Sequence, residues 1–268
     1  MSKTILITGS SDGIGLEAAK LLANGGHRVI LHGRSAAKLA RAKEEHQALA
    51  DCEMVAADLS DFDETARMAE EIERRFGTLD VLINNAGVFA VTKSETPSGL
   101  DIRFVVNTLA PYLLTRLLLP ILAKDGRVLN LSSAAQSALS ERALLGQEKL
   151  GDGAAYAQSK LAITMWSRLL ALSLPDGPII IAVNPGSLLA TKMVREAYGM
   201  AGKDVGQGAR ILTELATAPE HAEAGGLYFD NDSGRFAAPH PDALDPRRGA
   251  RLIELMDEIL SDQLKGTT

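Results

Sequence analysis

Short apolar runs recur along this chain, and stretches with helical spacing of apolar residues lie between them. The runs predict strands over residues 4–8, 28–32, 53–56, 81–83, 127–131, 179–183 and 227–229. The helical spacing predicts helices over residues 13–24, 36–49, 62–76, 100–123, 154–173 and 205–216, with a last one over 246–264. Asp61 and Glu64 make a capping-box start for the third helix, and Pro246 suits the first turn of the last. Apolar strands alternating with helices imply a parallel sheet covered on both faces, and right-handed crossovers make it doubly wound. The expected architecture is an α/β fold of about seven strands in a single domain over residues 1–268. No linker, internal repeat or low-complexity tract interrupts it. The loosest segment is the polar, Pro-rich "NDSGRFAAPHPDALDPRRG" before the last helix.

Composition narrows the function classes. The chain has 268 residues, 46% hydrophobic and 23% charged, the balance of a soluble globular protein. Its formal net charge is -6 and it has no Lys/Arg run, which argues against a nucleic-acid partner. The single cysteine, Cys52, excludes an intrachain disulfide or a CxxC pair and reads as a core residue. The longest apolar stretch, "VVNTLAPYLLTRLLLPILA", contains Asn107, Arg116 and two prolines, so it reads as a buried helix and not as a membrane span. The first residues lack a signal-peptide h-region and cleavage site, and the expected compartment is the cytoplasm. His27, His32, His46, His221 and His240 have no metal spacing, so no metal and no role are assigned to them. Met165 and Trp166 read as core or interface.

The polar clusters fall where the predicted strands end. "TGSSDGIG" joins the first strand to the first helix. There Gly9 permits a sharp turn, Gly13 clears space for a pyrophosphate against the backbone, and Gly15 lets the helix pack close to the sheet. The N–H groups and the positive dipole end of that helix would then face the phosphates. "AADLS" after the third strand places Asp58 where it would accept from an adenine amino group. "LINNAG" follows the fourth strand, "NLSSAA" the fifth and "NPGSLLAT" the sixth. In "AYAQSK", Tyr156 and Lys160 lie four apart on one helix face.

These motifs together resemble the short-chain dehydrogenase/reductase family over nearly the whole chain. The resemblance rests on the turn from Thr8 to Gly15, N-N-A-G (Asn84 to Gly87), Ser133 after the fifth strand, Y-x-x-x-K (Tyr156 to Lys160) and Pro185-Gly186. "VLINNAGV", "LLTRLLLPIL", "NLSSAAQ" and "AYAQSKLA" resemble its retinol-dehydrogenase and WW-domain-oxidoreductase branch. The resemblance implies a Rossmann-type NAD(P)-binding enzyme with Asn107, Ser133, Tyr156 and Lys160 as the catalytic set. It implies a cofactor site built from Thr8, Gly9, Ser11, Asp12, Gly13, Ile14, Gly15, Arg34, Ser35, Asp58, Leu59, Asn85, Ala86, Gly87, Asn107, Tyr156, Lys160, Pro185, Gly186, Leu188 and Thr191. Two departures stand out. Gln136 replaces a common glycine, and the segment over residues 134–155 is longer than in many members.

The roles follow from chemistry. Tyr156 would exchange a proton with the substrate oxygen, Lys160 would favour the tyrosinate, and Ser133 would hold the carbonyl. Asn107 would interrupt its helix and hold a water leading to Lys160. After the second strand Gly33 stands where NAD enzymes of this fold usually carry an acid, and Arg34 and Ser35 follow. An Arg there would pair with a 2′-phosphate, so NADP(H) is expected over NAD(H), with NAD possible. Val88, Phe89, Ala135, Leu139, Leu188, Leu189, Met193 and Val194 suggest a mostly apolar pocket for an uncharged ketone, aldehyde or secondary alcohol. Arg195 is the nearest candidate carboxylate clamp. Surplus apolar surface on the helices over 100–123 and 154–173 predicts a homodimer or homotetramer. The competing function is an NAD(P)-binding sensor with little turnover, and a fold with no ligand is harder to reconcile with Gly9, Gly13 and Asp58.

Overall fold

The structure is a computed structural model describing residues 2–187, 189, 202 and 204–265. Its eight strands are β1 (Thr4–Ile7), β2 (Arg28–Gly33), β3 (Glu53–Ala56), β4 (Leu79–Asn84), β5 (Leu122–Leu131), β6 (Ile179–Asn184), β7 (Tyr228–Asp230) and β8 (Arg235–Ala237). They form one sheet in the order β3-β2-β1-β4-β5-β6-β7-β8, parallel except for the antiparallel edge pair β7–β8. The order reverses beside β1, which opens a crevice beyond the carboxyl ends of β1 and β4.

Alternation along the strands builds two cores. Ile5, Ile7, Leu31, Val81, Ile83 and Val183 pack on one face with Ala18 and Leu22 of α1 (Gly13–Asn24), Leu39 of α2 (Ala36–Glu45) and Leu212 and Leu215 of a later helix, Val205–Thr217. Leu6, Ile30, Leu82, Val128 and Ile180 point the other way. They meet Met68 and Ile72 of α3 (Phe62–Phe76) and Leu114 and Leu118 of α5 (Ala110–Leu118). This period of two on buried strands is what a sheet covered on both sides requires.

The helix expected over residues 100–123 is composite. It runs as α4 (Ile102–Phe104), a π turn (Val105–Leu109), α5 and a final 3-10 turn (Leu119–Ile121). Pro111 explains the π turn. It carries no N–H, so the carbonyl of Asn107, four residues earlier, receives no α-helical bond and the ladder shifts register. The span Ile102–Ile121 is long and apolar enough to cross a membrane by composition, yet 78% of its most apolar 18-residue window is buried inside the protein. Among the described residues the other α-helices are α6 (Glu141–Leu144), α7 (Asp152–Ser173), α8 (Val205–Thr217) and α9 (Pro246–Lys265).

Several expectations are corrected. The sheet has eight strands, because "RFA" inside the apparent loose segment pairs with β7, with Phe236 set edge-on to Phe229 at 5.1 Å. β5 begins at Leu122, across the polar "KDG"; a register shift lies opposite, between Leu79 and Val81. The capping box at α3 is split. Asp61 accepts from the Glu64 N–H, but Glu64 accepts from the Asp58 N–H. The apolar face shared by α5 and α7 is covered by the chain's own α9. Leu252, Leu255, Met256, Ile259 and Leu260 close over a cluster containing Tyr112, Leu113, Leu161 and Trp166. Part of the apolar surface on which an oligomer is expected is thus covered within the chain, while Leu117 and Leu172 stay exposed.

Candidate active site

The turn after β1 is held tightly against the segment after β4. Gly9 has φ +64°, and a Cβ there would lie 2.8 Å from Cα of Ala86. A Cβ on Gly15 would meet the Gly9 carbonyl at 2.5 Å and the Asn85 amide. Asn85 Nδ2 donates to the carbonyls of Thr8 (2.8 Å) and Gly9 (2.9 Å), and the Ala86 N–H donates to Thr8 Oγ1 (3.0 Å). Thr8 and Asn85 therefore join the two loops to each other. At the start of α1, Asp12 makes no side-chain cap bond, so the first N–H groups there have no capping side chain. A glycine cradle at an uncapped helix start fits the pyrophosphate of a nicotinamide dinucleotide. Ser11, Asp12, Gly13 and Ile14 would supply its rim.

The adenine end takes shape after β2 and β3. Arg34 is exposed and has no ion-pair partner among the described residues. Ser35 caps α2 by accepting from the Lys38 N–H. Asp58 Oδ1 is engaged by the N–H and hydroxyl of Ser60 at 2.9 and 2.8 Å, and Leu59 is buried. On the nicotinamide side, Gly186 has φ +120° and the Pro185 carbonyl accepts from Asn231. Leu188 and Thr191 lie outside the described residues, as do Met193, Val194 and Arg195.

The residues expected for chemistry converge from three elements. Lys160 is buried, and its Nζ donates to the Leu131 carbonyl at 2.7 Å. Burial lowers its pKa to about 7. Nζ lies 5.6 Å from the centre of the Tyr156 ring, and Phe89 packs edge-on against that ring at 4.8 Å. Asn107, in the π turn, exchanges two bonds with the Val88 backbone and donates to Ser159 Oγ at 3.0 Å. Its side chain is thus used to lock the segment after Gly87. A Cβ on Gly87 would approach both Asn107 Oδ1 (3.3 Å) and Lys160 Nζ (3.5 Å). Ser133 Oγ accepts from the Ala135 N–H, while its carbonyl accepts from Tyr228 and Gln136.

Sequence reasoning missed the residues that hold this set. Ser159 donates to the Tyr156 carbonyl and accepts from Asn107. Ser132 Oγ donates to the Lys160 carbonyl. Arg103 is fully buried, pairs with Asp101 and Asp152, and donates to the Phe89 carbonyl. A charged residue inside the apolar "LDIRFVV" was the available signal for it. The segment over residues 134–155 packs Ala143 and Leu144 into the core, and the Ser140 N–H is tied to Gln158. Leu189 is also buried, beside Gly186 and Gly208. Next to the Ser133 loop lies a cavity of about 340 Å³ lined by Gln136, Tyr228, Asp230, Asp232, Ala237 and His240. Ala134, Ala238 and Pro239 complete its lining, so it mixes apolar and acidic surface.

A doubly wound sheet with a glycine cradle at its switch point and a buried Lys one turn from a Tyr defines a nicotinamide-dependent oxidoreductase. The family model for short chain dehydrogenase matches residues 3–201. Retinol dehydrogenase 12 of Mus musculus is 34% identical over 97% of this chain and 87% of its own. A solved protein of Mycobacterium paratuberculosis is similar with TM-score 0.80 and 27% identity, covering 97% of this chain and 93% of that one. The Pseudomonas aeruginosa RhlG/NADP active-site complex matches with TM-score 0.70 and 26% identity over 85% and 94%. The chain belongs to the short chain dehydrogenase family, on its retinol dehydrogenase branch, and is an NAD(P)-dependent dehydrogenase/reductase.

Proposed function

We propose that the protein is an NADP(H)-preferring oxidoreductase for uncharged, mainly hydrophobic ketones and aldehydes or the matching alcohols. The nicotinamide, when bound, supplies or accepts the hydride. Tyr156 exchanges the proton with the substrate oxygen, and Ser133 donates a hydrogen bond to that oxygen. Lys160, in its protonated form, stabilises the tyrosinate and so lowers the barrier to proton release. The observation that carries the reading is the buried Lys160, held on the Leu131 carbonyl beside the Tyr156 ring.

Two features support the finer parts of the proposal. Arg34, exposed and without an ion-pair partner among the described residues, suits a 2′-phosphate, and Gly33 leaves no acid to repel it. Asp230 and Asp232 line the cavity beside Ser133 and would oppose a substrate carboxylate, while Phe89 offers apolar surface at Tyr156. The similarity to a retinol dehydrogenase is in keeping with an apolar substrate. Turnover of ketones of rising apolar size is to be compared with that of matched keto-acids, using NADPH and NADH. The neutral series with NADPH is expected to win, and higher kcat/KM for keto-acids or for NADH would overturn that part. Tyr156→Phe should keep NADPH affinity and lose turnover by about a thousandfold or more, the range of a general acid.

A further inference from the structure

The cofactor turn has a support that the proposed chemistry does not use. His32 is 1% exposed and sits near the end of β2, two residues before Arg34. Its Nδ1 accepts the Gly9 N–H at 3.2 Å, and its Nε2 lies 3.1 Å from the Ala57 carbonyl. A backbone N–H only donates, so Nδ1 carries no proton. Nε2 therefore bears the hydrogen and donates to Ala57. Burial pushes the ring down to about 4, with Asp58 the nearby charge opposing the shift, so this neutral tautomer persists at neutral pH. The backbone of His32 adds two more bonds to the turn. Its carbonyl accepts the Ser10 N–H (2.8 Å), and its N–H donates to Ser10 Oγ (2.9 Å).

One ring thus spans three neighbouring loops at the carboxyl edge: the glycine turn, the end of β2 and the start of the loop carrying Asp58. Gly9 is held at φ +64°, and its N–H points inward to His32 instead of towards a ligand. We propose that His32 is a positioning residue for the dinucleotide: by holding the Gly9 N–H it sets the conformation of the turn that receives the phosphates. Losing it would loosen the turn and leave a partly buried N–H without its acceptor. The proposal rests on the reading of this turn as the NAD(P) site.

Three variants separate the ring's two hydrogen bonds from its bulk. His32→Asn keeps an acceptor near the Nδ1 position, His32→Gln keeps a donor reaching towards Ala57, and His32→Leu keeps only volume. NADPH affinity is to be measured by fluorescence titration, with amide hydrogen exchange of Gly9 in the cofactor-free protein as a second readout. His32→Asn should bind within about threefold of the parent, whereas His32→Gln and His32→Leu should bind about tenfold more weakly, the effect of one lost hydrogen bond. Gly9 exchange should quicken in the same two variants alone. Equal affinity in His32→Leu and the parent, or equal loss in Asn and Gln, would overturn the positioning role and leave the cofactor site intact. A parent that bound neither NADPH nor NADH would overturn the site reading and this proposal with it.

Discussion

Lys160 is a buried ammonium whose one described hydrogen-bond acceptor is a backbone carbonyl. The unfolded chain binds a proton there up to pH 10.5, and the folded chain only up to about 7. Between those values the unfolded state holds more protons, so stability rises with pH through that window, and below 7 the full burial cost is present. Lys160→Met should therefore stabilise the fold by about 1–3 kcal/mol at neutral pH while abolishing turnover and weakening NADPH binding. Urea denaturation and NADPH titration check both halves, and a destabilised variant would show that Lys160 is not held at a cost. Tyr156 and Lys160 were legible in the sequence because their spacing is local, and so were the glycines, because no other residue suits them. His32, Ser159 and Arg103 were not. Their partners lie far along the chain: His32 meets Gly9, Ser159 meets Asn107, and Arg103 meets Asp152. No periodicity reports such a pairing.

At the scale of elements, the π turn and α7 act as one unit. Thr108 Oγ1 donates to the Ser159 carbonyl, Asn107 donates to the Ser159 hydroxyl, and Arg103 bridges the start of α4 to Asp152 in the first turn of α7. Asp152, Tyr156 and Lys160 recur every four residues, so Arg103 holds the lower end of the stripe that carries the chemistry. Its bond to the Phe89 carbonyl steadies the ring packed on Tyr156. Arg103→Met should cost about 3–5 kcal/mol, since it leaves Asp101 partly buried without its charge partner. Adding Asp101→Asn should recover part of the stability but not kcat, because Phe89 and Asp152 remain untethered. Recovery of both would reduce Arg103 to a structural charge pair. The strand and helix order was legible because strands buried on both faces read as short continuous apolar runs, and the 3.6 spacing of the helices between them survives burial. The eighth strand was not, because three residues between turn signals carry too little pattern. The π turn had a visible cause in Pro111, but the sequence does not say whether a proline kinks a helix or widens it.

At the scale of the molecule, the outer layer decides what the core shows to its surroundings. α9 was read correctly as a helix, but its position was not legible, because an amphipathic helix does not name the face it covers. It lies on α7 and α3, with Leu252, Leu255 and Met256 at most 1% exposed. Asp257 accepts from the Tyr112 hydroxyl at 3.0 Å and from Arg116, which pins the helix over α5. With α9 seated, the large hydrophobic residues left exposed on α5 and α7 are Leu117 and Leu172. Much of the surplus face of α5 and α7 is therefore covered within the chain, and Leu117 and Leu172 are what these helices leave for a second copy. Unseating α9 should uncover the rest. Met256→Asp places a carboxylate in a fully buried position and should cost about 3 kcal/mol or more. The variant should then self-associate through the freed faces of α5 and α7, seen as a rise in mass by light scattering at micromolar concentration. The parent should show no such association, and Leu117→Lys in the parent should leave its mass unchanged. A parent that is already dimeric, and that turns monomeric on Met256→Asp, would reverse the argument: α9 would then be part of an interface and not a cover over one.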